Sequence, residues 1–363
     1  MAKPEPRAGI LSIAPYVPGR GKLPGHERIL KLASNEGALG PSPKAMEAYR
    51  KLATELHRYP DGDPYDLRQA VGRRHGLDPD RIVCGNGSDE LIMLIARCYA
   101  GPGDEILHTE FGFLMYPIFA RAVGATPVAA PERDYTTDVD ALVARVTPRT
   151  RIVYVANPNN PTGTYLPAAE LARLRAGLPE HVLLVVDAAY AEYIGRNDYS
   201  PGVELVDAAG ANTIMLRTFS KIYGMAALRL GWAYAPAAIV DVMNRVRNPF
   251  NVNAVAQAAG IAALEDLEFV ARGKAHNDQW RPWLAHEIAA LGLKVIPSVG
   301  NFVLVEFART GKTAAAANEA LNQRGITVRP VGAYGLPHHL RVTVGLEPEN
   351  RAVVEGLAAF MRG

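Results

Sequence analysis

Short β-branched runs alternate with helix-patterned stretches through the middle of the chain. The spacing predicts strands at 81–84, 105–108, 126–129, 151–156, 182–186, 213–217 and 229–234, with helices between them, as at 89–99 and 168–176. Alternation of this kind demands a mostly parallel sheet covered on both faces. The unbroken apolar run Leu183–Val186 reads as a strand buried on both sides. In such sheets, ligands sit beyond the carboxyl ends of the strands. There RIVYVA runs into Asn157–Gly163 (NPNNPTG), LLVV into Asp187–Tyr190 (DAAY), and TIMLR into Thr218–Lys221 (TFSK). Three successive apolar strands therefore deliver an amide, a carboxylate and an amine to one rim. Buried Asp and Lys are rare unless paired, so the three together point to a site rather than to turn residues.

The segment GNGSDE (85–90) follows a strand and opens the helix DELIMLIARCY. Free N–H groups and the helix dipole at such a start favour an anion. The alternative is a plain turn with Ser88 as N-cap. Glu90 stands where GxGxxG needs its last glycine, which disfavours a nicotinamide site. A helix start for a phosphate, a carboxylate for a ring nitrogen, an amide and a phenol for a ring oxygen, and a lysine able to form a Schiff base make the inventory for pyridoxal phosphate.

With 363 residues and about 150 residues per domain, the chain has room for two or three domains. Pro4, Pro6, Pro15, Pro18 and Pro24 forbid a long helix at the start, so residues 1–35 read as an extended arm. Residues 36–247 read as the large, cofactor-binding domain. From 248 to 363 the pattern changes to a long helical region, 254–291, followed by KVIP, FVLVEF, TVRP and LRVTV, which reads as a smaller α+β domain joined by the arm. Lys plus Arg is 39 against 37 Asp plus Glu, a net charge of +2; that balance argues against a nucleic-acid binder. No apolar run approaches the ~20 residues that span a bilayer, and the N-terminus lacks the pattern of a signal peptide. The two cysteines, Cys84 and Cys98, suggest buried thiols, neither a disulfide framework nor a metal site. The expected protein is cytoplasmic, binding neither membrane nor nucleic acid.

The motifs PYVPG (15–19), KLASNEG (31–37), RYPDGDPYDLR (58–68), GNGSDELI (85–92), NPNNPTG (157–163), VVDAAYAEY (185–193), RTFSKIYGMAALRLGW (217–232) and LRVTVG (340–345) span nearly the whole chain. In this order they resemble the fold-type I, pyridoxal-phosphate-dependent enzymes of the aspartate aminotransferase superfamily, and within it the histidinol-phosphate aminotransferases. The resemblance implies an α/β fold, a large domain with a seven-stranded mostly parallel sheet plus the smaller α+β domain. It implies that Lys221 forms the Schiff base and shuttles the proton, that Asp187 pairs with the pyridine nitrogen, and that Asn160 and Tyr190 bond the ring oxygen. Gly87, Ser88, Asp89, Thr218, Ser220 and Arg229 would surround the cofactor phosphate. Phe111 would stack on the ring, with Phe113 and Tyr116 as alternatives in the same segment. Tyr59 would reach the cofactor of a neighbouring subunit, implying a homodimer with shared sites. Arg341 would bind the substrate anion, with Arg329 and Tyr16 assisting. Arg229 itself sits at the start of an apparent strand.

The implied reaction is amino transfer between L-histidinol phosphate and 2-oxoglutarate, giving imidazole-acetol phosphate and glutamate in histidine biosynthesis. An aromatic or broad-specificity aminotransferase would use the same machinery, and a phospho-amino-acid decarboxylase is a third reading. Gly37, where relatives often carry Pro, and the segment TEFGFLMYP (109–117) depart from the usual pattern and leave the substrate open.

Overall fold

The computed structural model describes residues 4–208 and 210–363. Seven strands form the central sheet: β1 Ile82–Gly85, β2 Glu105–Thr109, β3 Thr126–Ala130, β4 Thr150–Ala156, β5 Leu183–Asp187, β6 Thr213–Thr218 and β7 Gly231–Tyr234. Their order is β1-β7-β6-β5-β4-β2-β3, and only β7 runs against its neighbours. The three central strands β4, β5 and β6 are almost wholly buried, as their apolar sequences require, because helices cover both faces.

The long helical region predicted after residue 254 is two helices. Ala254–Glu265 ends at Asp266, and Leu267–Ala290 begins beyond it. The first is rich in alanine and packs Ala256, Ala259 and Ala263 into the same apolar cluster as Leu67, Phe219 and Leu230 beneath the large sheet. Gly260 permits that approach, since a Cβ there would lie 2.6 Å from Leu230.

A second sheet follows, with β8 Lys294–Ile296, β9 Phe302–Glu306, β10 Arg329–Pro330 and β11 His339–Thr343 in the order β8-β9-β11-β10, all antiparallel. The N-terminal arm joins this part of the molecule: Leu30–Lys31 pairs in parallel with Ile326–Thr327, and Leu32 enters its apolar cluster. Among the described residues no helix is long and apolar enough to cross a membrane, and no group of three His, Cys, Asp or Glu could hold a metal ion. Both cysteines are free; Cys84 is buried, Cys98 only partly.

Candidate active site

The carboxyl ends of β4, β5 and β6 open into a cavity of about 110 Å³ lined by Ser88, Asp89, Asn160, Asp187, Tyr190, Thr218, Ser220, Lys221 and Arg229. These are nine of the residues singled out from the sequence. They converge because three parallel strands in register end at one edge, with Ala156 opposite Asp187 and Asp187 opposite Leu216.

Asp187 is the last residue of β5 and is buried. Its Oδ2 accepts a hydrogen bond from the Tyr116 hydroxyl at 3.0 Å, while its Oδ1 has no hydrogen-bond partner among the described residues. Burial pushes its carboxyl up to about 6, against the opposing pull of the Tyr116 bond. A buried carboxylate with a spare lone pair is costly unless something cationic meets it. Tyr116 is held in turn by stacking on Tyr154, with ring centroids 4.8 Å apart and planes 5° from parallel.

Lys221 lies just past β6. Its Nζ donates to the Ser34 carbonyl at 3.1 Å and stands 5.5 Å from the centre of the Tyr190 ring. Burial, then the nearby Arg341 cation, lowers the amine to about 8, so a useful share is the neutral nucleophile near neutral pH. The Tyr190 hydroxyl accepts from Asn35 Nδ2 at 3.0 Å, and burial pushes the phenol up to about 12.

The opposite end of the cavity suits an anion. The helix Ser88–Tyr99 begins directly after Gly87, whose φ of 82° favours glycine. A Cβ on Gly87 would come within 2.5 Å of Arg229 Nη2. Arg229 does not belong to a strand, contrary to the sequence expectation. It has φ 52°, in the left-handed region, directly after a 3-10 turn at Ala226–Leu228. The tight turn swings its guanidinium under the loop, where Nη2 bonds Asp89 Oδ2 at 3.0 Å and Nη1 bonds the Ala226 carbonyl at 3.1 Å and Ser220 Oγ at 3.4 Å. Asp89 therefore holds Arg229 by ion pairing. The Thr218 hydroxyl accepts from the Ser220 backbone N–H at 3.2 Å, shaping the turn.

Of the three asparagines in NPNNPTG, only Asn160 faces the cavity. Asn157 pairs with both backbone groups of Leu166, and Asn159 Nδ2 holds the Phe111 carbonyl at 3.2 Å. Phe111 itself is turned away from the cavity. Its ring packs toward Tyr135, at 6.1 Å, and the small-sheet cluster of Tyr334 and Leu336. The aromatic wall of the cavity is Phe113 instead, set edge-on to Tyr116 at 5.8 Å.

Arg341, on β11, donates from Nη1 to Asn160 Oδ1 and from Nη2 to the Ala33 carbonyl at 2.7 Å, so it reaches the cavity through Asn160. Arg329 stands directly opposite it across the β10–β11 pair and lies 5.3 Å from the Tyr16 ring centre. Both guanidiniums are buried, and neither has a carboxylate partner among the described residues. Tyr59 is not brought to this cavity: it is 83% exposed and stacks on Phe250 at 4.7 Å. Phe113 takes the place that the sequence offered it as an alternative to Phe111, whereas the contact of Asn35 with Tyr190 and the brace of Tyr116 on Asp187 have no counterpart in the sequence reading. Asn35 lies inside KLASNEG, yet its contact with Tyr190 spans 155 positions and has no local signature.

The residues fit pyridoxal phosphate on two observations of this structure. Asp187 Oδ1 is a buried acceptor awaiting a donor, suited to a protonated pyridine nitrogen. At the other end, the glycine-opened helix start and Arg229 form a cradle for a phosphate.

The family model for aminotransferases of class I and II matches residues 27–357. The chain is 61% identical over 363 residues to a histidinol-phosphate aminotransferase of Rhodospirillum centenum, covering 100% of both chains. It is 59% identical to the one of Paramagnetospirillum magneticum, over 99% of both. Among solved structures it resembles the histidinol-phosphate aminotransferase of Sinorhizobium meliloti in complex with pyridoxal-5'-phosphate, with TM-score 0.88, 30% identity and 92% of each chain covered.

Proposed function

The chain belongs to the class I and II aminotransferases, and from that premise we propose that it transfers the amino group of L-histidinol phosphate to 2-oxoglutarate, in histidine biosynthesis. The carrying observation is the pair of buried arginines, Arg341 and Arg329, facing each other across adjacent strands beside the cavity with no carboxylate among the described residues to neutralise them. They suit an anion at the far end of the substrate, and a guanidinium fork can pair with a phosphate or a carboxylate. The names of relatives alike over their whole length support the same substrate.

Pyridoxal phosphate, when bound, supplies an electron sink for negative charge at the substrate α-carbon. Asp187 would hold the ring nitrogen protonated through its free Oδ1, braced by Tyr116 at Oδ2. Asn160 and Tyr190 would bond the ring oxygen. Gly87, Ser88, Ser220 and Arg229 would bind the phosphate, with Asp89 orienting Arg229 and Thr218 shaping the turn. Phe113 would lie against the ring. Lys221 Nζ would take the substrate α-proton and give it back, a role its lowered basicity favours. Tyr16 would close over the substrate beside Arg329.

The exposed Tyr59–Phe250 stack supports a homodimer in which Tyr59 completes the neighbour's phosphate site. The enzyme would act in the cytoplasm. We place the boundary of the large domain near Asp266 rather than 247, because the helix Ala254–Glu265 packs under the large sheet. The small domain would run from there to the C-terminus, with the arm attached to it through Leu30–Lys31 and Leu32.

A half-reaction titration tests the substrate. The purified yellow protein is mixed with histidinol phosphate, phenylalanine or tyrosine, and conversion of its visible band is followed. Histidinol phosphate is expected to act at the lowest concentration. Preference for an aromatic amino acid would favour a broad-specificity enzyme, and release of carbon dioxide a decarboxylase.

A further inference from the structure

We infer that Asn35 is a positioning residue that sets the direction of the Tyr190 hydroxyl proton, turning it into the cavity toward the cofactor's ring oxygen. The inference rests on the pyridoxal phosphate reading given above. Three consecutive residues of the arm each grip one group of the site. The Ala33 carbonyl accepts from Arg341 Nη2 at 2.7 Å, the Ser34 carbonyl accepts from Lys221 Nζ at 3.1 Å, and Asn35 Nδ2 donates to Tyr190 at 3.0 Å.

Asn35 is itself pinned from every side. It is 1% exposed and takes a φ of 55°, a left-handed conformation that asparagine tolerates better than most residues. Its backbone N–H donates to Thr343 Oγ1 at 3.0 Å, and the Thr343 hydroxyl donates back to Asn35 Oδ1 at 3.0 Å. Asn301 Nδ2 donates to its carbonyl at 3.1 Å. The closed loop through Thr343 commits Oδ1, so Nδ2 is the atom presented to Tyr190. An amide nitrogen can only donate. The Tyr190 oxygen must therefore accept, and its own proton is free to point elsewhere. Arg341 and Lys221 stand near the phenol as cations, Asp187 and Asp89 as anions, and its hydroxyl has no other hydrogen-bond partner among the described residues. The proton is left for a ligand atom in the cavity.

Asn35→Asp keeps the shape and reverses the polarity. A carboxylate accepts, so the Tyr190 proton would turn toward residue 35 and away from the ring oxygen. A donor stabilises that oxygen most when the neighbouring proton of the chromophore has left, so losing it raises the pH midpoint of the visible band. The readout is that midpoint in the holoenzyme, measured in the wild type, Asn35→Asp, Tyr190→Phe and the double variant. Asn35→Asp is expected to raise it by about 0.5–1 unit beyond any shift it causes in the Tyr190→Phe background. The added charge acts in both backgrounds, so the difference isolates the hydroxyl. Asn35→Gly retains the left-handed backbone, serves if the aspartate variant folds poorly, and is expected to give a smaller rise that also needs Tyr190. Equal shifts in both backgrounds, or none in either, would overturn the role of Asn35. A wild-type protein that takes up no pyridoxal phosphate would overturn the cofactor reading as well, so the two failures are distinguishable.

Discussion

Replacing Asp187 by Asn should make the cofactor-free protein more stable while crippling its use of the cofactor. The carboxyl is pushed up to about 6 from the ordinary aspartate range, chiefly by burial. Its value in the folded protein lies above the unfolded one, so the ionised form opposes folding. The penalty is fully present above about pH 6, shrinks as pH falls from there toward 4, and vanishes once both states are protonated. A difference of about two units corresponds to roughly 3 kcal/mol at pH 8. An asparagine fits the same place: its carbonyl can accept the Tyr116 hydrogen bond now made to Oδ2, and it carries no charge. Denaturant unfolding of the cofactor-free protein at pH 5 and pH 8 measures the effect. Asp187→Asn should gain about 2–3 kcal/mol over the wild type at pH 8, and much less at pH 5. The same variant should bind pyridoxal phosphate more weakly and turn over more slowly, because the ring nitrogen loses its counter-charge. A cofactor-free variant less stable than the wild type at pH 8 would refute the argument that burial strains this carboxylate in readiness for a cationic partner.

Gly87→Ala would set a Cβ 2.5 Å from Arg229 Nη2 at a φ of 82°; fluorescence titration should find cofactor affinity reduced roughly tenfold to a hundredfold, and an unchanged affinity would remove the phosphate cradle from the account. Lys221→Ala should abolish the normal visible band and lower turnover by at least about 10²–10⁴-fold, as read by absorbance and steady-state rates; normal turnover would sink the lysine assignment.

The strand ends were legible in the sequence because they are local. NPNNPTG, DAAY and TFSK each follow a run of apolar residues that can only be a buried strand, and parallel strands collect their carboxyl ends at one edge. Distances of a few residues along the chain therefore fixed Asp187, Tyr190 and Lys221 on a common rim. Arg229 was found through its motif, but its left-handed backbone was not, since apolar neighbours made it look like the start of a strand. Phe111 and Phe113 are two positions apart in one turn. Sequence offers both, and tertiary packing of Phe111 toward Tyr135 and the small-sheet cluster leaves Phe113 at the cavity.

What the amino-acid sequence determined by itself was the chemistry present: which strands exist, which side chains stand at their tips, and that a phosphate, a ring and an amine reaction suit them. What only the tertiary structure decided was who braces whom. Tyr116 reaches Asp187 across 71 positions, Asn35 reaches Tyr190 across 155, and Ser34 reaches Lys221 across 187. The physical reason is that hydrogen-bond geometry and desolvation depend on distance in space, and packing two sheets and an N-terminal arm around one cavity sets those distances without leaving a periodic mark along the chain.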